Sequence, residues 1–123
     1  MNQGDCFKDN LGDGIPHLHV IVFVVEVAQE ALVVSVTSYN EEKDPTCILN
    51  VGDHPFIKHK SCISYRHATV TSYAVLNGLI NTGKFVVHQS MPLPVMERII
   101  NGLCTSGEVV NKVRKWVKKY RLV

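Results

Sequence analysis

The sequence predicts a small, mainly β domain with helices gathered at its C-terminal end. Three observations carry this. Two runs, 17–27 (HLHVIVFVVEV) and 32–38 (LVVSVTS), hold the branched and aromatic residues that pack on a pleated surface. Polar clusters at 39–45 (YNEEKDP) and 50–55 (NVGDHP) punctuate the chain as turns. Apolar residues at a sustained helical spacing gather only after Pro92. A chain of 123 residues is long enough for one hydrophobic core, so a single domain over 1–123 is expected.

Each element follows in order. Residues 1–16, with Gly, Asp, Asn and Pro, read as a loop region that can hold a short strand over 5–8. Residues 17–27 read as a strand buried on both faces for most of its length. The AQEA turn at 28–31 joins it to a second strand over 32–38, making a β-hairpin. A polar loop over 39–45 leads to a short strand at 47–49 and a turn at 50–55 that contains Gly52. Residues 61–71 alternate: Cys62, Ser64 and Arg66 fall on one face, and Ile63, Tyr65 and His67 on the other. Residues 72–80 carry two signals. Tyr73, Leu76 and Ile80 fit a helix, whereas Asn77-Gly78 is a turn dipeptide. A last strand is expected over 84–88.

Pro92 and Pro94 suit the first turn of a helix whose stripe is Met96, Ile99, Ile100 and Leu103. Thr105-Ser106-Gly107-Glu108 has the spacing of a capping box. It predicts a second helix over about 105–121, with Val109, Val110, Val113, Trp116, Val117 and Tyr120 inward and Lys112, Lys115, Lys118 and Lys119 outward.

Composition excludes several classes. The longest apolar run, Val20 to Val25, is too short to cross a bilayer, and the polar, acidic N-terminus does not read as a signal peptide. A cytoplasmic location with four reduced cysteines is therefore expected. No CxxC pair occurs among Cys6, Cys47, Cys62 and Cys104, which removes zinc-knuckle and thioredoxin-like readings. The net charge of +2 is unevenly spread: residues 112–123 hold six Lys or Arg and no acid. That terminal segment reads as an ordinary amphipathic helix or, alternatively, as an RNA-binding surface.

The candidate chemistry centres on histidines. His17 and His19, two apart on a strand, share one face. They can act as general acid and base near neutral pH, bind a metal with a third ligand, or pack as partly buried strand residues. Thr37 and Ser38 end the second strand, where a hydroxyl can meet a phosphate. Asp53 suits the backbone amides of its own turn, and His54, before Pro55, is biased to extended backbone. Lys58, His59, Lys60, Arg66 and His67 form a basic, histidine-bearing segment suited to an anionic phosphate. The bland alternative for that segment is a solvated loop.

The order of several short motifs resembles the PemK/MazF-like toxins of toxin–antitoxin modules. They are Gly4-Asp5, the strand from Val20 to Val25, Val36-Thr37-Ser38, GKFVV at 83–87 and LPVMERIINGL at 93–103. The resemblance covers about residues 4–103. It implies an SH3-like barrel, followed here by the extra basic helix. It also implies a metal-independent endoribonuclease that cleaves single-stranded RNA without a cofactor, acts as a homodimer and is neutralised by a small acidic antitoxin. Thr37 matches the family position that contacts the reacting phosphate. The family's Arg-Pro pair at the start of the first long strand is replaced by His17-Leu18-His19. On chemical grounds His17 or His19 takes the acid or base role, and Arg66 or Lys58 supplies positive charge. Ser38, His54, Lys58 and His67 are the expected substrate contacts. The alternative is a non-catalytic barrel that binds nucleic acid or protein, favoured by the missing Arg-Pro pair.

Overall fold

A computed structural model describes residues 1–10 and 14–123. The loop expected over 1–16 includes residues 11–13, which lie outside the described residues. The architecture is mixed α/β: one curled, six-stranded antiparallel sheet forming a half-barrel, and three α-helices. In chain order the strands are β1 (Cys6–Asp9), β2 (Leu18–Val25), β3 (Glu30–Ser38), β4 (Ile48–Leu49), β5 (Ser61–Ser72) and β6 (Phe85–His88). The helices are α1 (Tyr73–Asn81), α2 (Leu93–Thr105) and α3 (Asn111–Lys119). The spatial order is β4-β5-β3-β2-β1-β6.

Side-chain alternation divides the sheet into two faces. Leu18, Val20 and Val22 of β2 and Leu32, Val34 and Val36 of β3 point to the main core. There α2 supplies Val95, Met96, Ile99 and Leu103, and α3 supplies Val113, Trp116 and Val117. Tyr65 is wholly buried in this layer and donates its hydroxyl to the Ile99 carbonyl at 2.8 Å. On the opposite face Phe7, Ile21, Ala31 and Val33 form a second cluster, covered by Tyr73 and Leu76 of α1. That cover extends over only part of the face. Beyond it the same strand rows turn polar, and the candidate site lies there.

Of the two signals over residues 72–80 the helical one prevails, because burying Tyr73 and Leu76 outweighs a turn dipeptide that sits on the exposed side. Ser72 caps this helix, accepting from the Val75 amide at 3.1 Å. The Thr105–Glu108 segment is not a capping box. Thr105 ends α2, and Ser106 is buried in the connection, where its hydroxyl donates to Asp44 Oδ2 at 2.6 Å and accepts from the Glu108 amide. The second C-terminal helix begins only at Asn111, so Val109 and Val110 precede it and Val110 is exposed.

A second correction concerns β5. Val33 faces Thr69 and Ser35 faces Ser64, so a two-residue step on β3 matches a five-residue step on β5. This bulge breaks the simple alternation. Ile63 and Tyr65 reach the main core, as do Ala68 and Val70 beyond the bulge. Arg66 and His67, expected on opposite faces, are both exposed between them.

No helix among the described residues is long and apolar enough to cross a membrane.

Candidate functional site

The strand pairing builds the site. Phe7 stands opposite His19 on β2, His19 opposite Ser35 on β3, and Ser35 opposite Ser64 on β5. Asp9, Thr37 and Cys62 extend the same rows, with Thr37 facing Cys62. A cleft of about 380 Å³ opens over this polar half of the sheet. His17, His19, Thr37, Arg66 and His67 line it together, with Ser35, Ser64 and Lys43. The β5 bulge is what brings Arg66 and His67 to the cleft as a pair.

Two imidazoles are held by hydrogen bonds. His19 Nε2 lies 2.9 Å from Asp9 Oδ2, and its ring stacks on Phe85 with centroids 4.7 Å apart. With Nε2–H donating to the carboxylate, Nδ1 keeps its lone pair for other chemistry. Asp9 is almost buried; it also accepts from the His17 backbone amide at 3.2 Å, and its carboxylate stands 3.8 Å from His17 Nδ1. Across the sheet, His67 Nδ1 and the Ser64 hydroxyl share a hydrogen bond of 2.7 Å. The sequence did not reveal Asp9 as a partner, because its pairing depends on β1 continuing one residue past the expected strand.

Cationic groups accompany the imidazoles. Lys43 Nζ donates to Thr37 Oγ1 at 3.1 Å and to the Ser38 carbonyl at 2.5 Å, so its charge is fixed beside the threonine hydroxyl. Lys43 was also missed, because it comes from the 39–45 loop and reaches the site only through the fold. Glu42, Asp44 and Glu108 form an acidic margin of the cleft. Desolvation pushes the Asp44 carboxyl upward, but hydrogen bonds from Ser106 and Thr46 outweigh it and hold the carboxyl below its ordinary value.

The remaining candidates sit elsewhere. Ser38 and Lys58 line a neighbouring groove rather than this cleft. His54 is only 2% exposed, with Nε2 donating to the Gln89 carbonyl at 2.6 Å and Nδ1 accepting from the Phe56 amide. Burial pushes its pKa down, reinforced by nearby His88, although the bond to Gln89 opposes the shift. Its position fits a strut of the 50–57 turn and leaves little surface for a substrate. Asp53 serves that turn too, accepting from the Asn50 amide at 2.7 Å and pairing with Arg98 at 3.2 Å. Desolvation raises the Asp53 carboxyl, yet the Asn50 amide and Arg98 hold it below its ordinary value.

The thiols pack. Cys6, Cys47 and Cys62 are buried, and burial raises all three, Cys6 to about 12. Among the described residues no three His, Cys, Asp or Glu side chains are grouped so as to hold a metal ion.

No protein-family model matches this chain, and no curated protein matches it significantly.

Proposed function

We propose that the chain is an endoribonuclease that cleaves single-stranded RNA by the metal-independent route of PemK/MazF-like toxins. One observation carries this reading: two imidazoles, each hydrogen-bonded to a partner, line one cleft together with Arg66 and the Lys43–Thr37 pair. The curled antiparallel sheet with helices packed on it also suits an SH3-like barrel plan.

The chemistry needs three functions. A base removes the proton from the ribose 2′-hydroxyl, and the resulting oxygen attacks the adjacent phosphorus. The bond from phosphorus to the 5′-oxygen breaks, and an acid protonates that leaving oxygen. The products are a 2′,3′-cyclic phosphate and a 5′-hydroxyl. His19, oriented by Asp9, is the base, and His67 is the acid. Arg66 and Lys43 stabilise the charge on the phosphorane, and Thr37 positions a non-bridging oxygen. His17, half exposed beside Asp9, contacts the strand at the rim. On this reading the chain works as a cytoplasmic homodimer toxin, and a small acidic antitoxin pairs with Arg66 and Lys43 of the cleft and with Lys58 beside it.

Expression in bacteria from a repressible promoter tests the reading. Growth arrest with fragmented cellular RNA is expected from the intact chain, and relief of both from Thr37→Ala. Normal growth with intact RNA, at a confirmed level of folded protein, would defeat it.

A further inference from the structure

A second groove, of about 570 Å³, adjoins the cleft and shares His17, Thr37 and Lys43 with it. Its electrostatic character differs. The cleft has a carboxylate margin, whereas among the described residues no Asp or Glu lines the groove. Lys8 from β1 and Lys58 from the 50–60 segment reach it from separate parts of the chain, with His59 and His88. Lys8 and Lys58 are exposed and make no ion pair among the described residues. Basic groups from distant segments thus meet at one groove.

The groove also has an apolar side. Ile15 is 83% exposed beside Pro16, and Phe56 meets His88 edge to face with centroids 5.9 Å apart. Ammonium groups beside a hydrophobic, aromatic wall are the two elements that hold single-stranded nucleic acid, one for the phosphate and one for the base. An acidic peptide would use the lysines but leave the apolar wall unused.

We propose that this groove is a subsite for the nucleotide flanking the scissile phosphate, its phosphate on Lys8 and Lys58 and its base against Phe56 and Ile15. This rests on the ribonuclease reading of the adjoining cleft and narrows its substrate to a strand running through both cavities, rather than a mononucleotide.

A fluorescein-labelled, single-stranded 2′-O-methyl octaribonucleotide measures binding without cleavage. Its anisotropy is followed at several salt concentrations for the intact chain, for Lys8→Gln/Lys58→Gln, and for Lys115→Gln/Lys118→Gln on the outer face of α3. The groove variant is expected to bind about tenfold more weakly. Its slope of log affinity against log salt should be shallower by about 0.7 for each phosphate no longer neutralised. The α3 variant is expected to match the intact chain. Equal binding by the groove variant and the intact chain would overturn the subsite, as would tighter binding of a glutamate octapeptide than of the oligonucleotide. If lysine-dependent binding is found but unmodified RNA is not cleaved, the subsite stands and the ribonuclease reading falls.

Discussion

Replacing His19 with alanine is expected to lower the rate of RNA cleavage by about 10²–10⁴, the range that one positioned acid or base contributes. The imidazole is set from two sides. Asp9 fixes the ring through Nε2, and Phe85 fixes its plane. Asp9→Asn keeps an acceptor for Nε2–H but removes the carboxylate charge that anchors the ring. A smaller loss is expected there, which makes Asp9 a positioning residue. Added imidazole should restore part of the activity of His19→Ala and none to Asp9→Asn, whose own ring is still present. Equal activity of His19→Ala and the intact chain, with matching thermal melts, would remove His19 from the mechanism.

The largest expected stability effect is remote from the cleft. A Cβ built on Gly102 would lie 2.0 Å from the Tyr65 hydroxyl oxygen and 2.7 Å from Cζ, closer than packed atoms come. Tyr65 cannot swing aside cheaply, since it is fully buried and bonded to the Ile99 carbonyl on the same helix. Gly102→Ala must displace the ring or lift α2 from the sheet. Overpacking costs about 1–3 kcal/mol, and a disrupted buried hydrogen bond adds about 1–3 kcal/mol. The better helix propensity of alanine returns about 1 kcal/mol. A net loss of about 1–5 kcal/mol is expected in urea unfolding. Gly78 supplies the control: it lies in α1, exposed, with nothing within 4 Å of a new Cβ. Gly78→Ala should therefore stabilise by up to about 1 kcal/mol. If Gly102→Ala were as stable as the parent, α2 could not lie on Tyr65 as described.

Much of the fold was legible because periodicity reports burial directly. The Val-rich runs became β2 and β3, and the stripe of Met96, Ile99 and Leu103 became the buried face of α2. The strand expected over 84–88 is β6, from Phe85. What stayed hidden depended on register. No residue type in SYRHAT announces that β5 bulges between Ser64 and Thr69, so alternation sent Arg66 and His67 to opposite faces. The bulge is fixed by β3 across the sheet, and it places both residues at the cleft. Asp9 and Lys43 were invisible for a related reason. Each meets its partner through the fold, Asp9 across a strand pair and Lys43 by folding back from a loop. His54 shows the converse. GDHPF looks chemically rich, but its histidine is spent on the Gln89 carbonyl and the Phe56 amide.

On the proposed mechanism, anchored imidazoles cleave RNA through its own 2′-hydroxyl. The ends of the products test it most directly. Purified chain is incubated with a single-stranded RNA in excess chelator, and the fragments are read by mass spectrometry. The expected fragments carry 2′,3′-cyclic phosphate and 5′-hydroxyl ends, with no cut at a bond whose attacking ribose is 2′-deoxy. RNA left intact, or fragments ending in 3′-hydroxyl and 5′-phosphate, would contradict it.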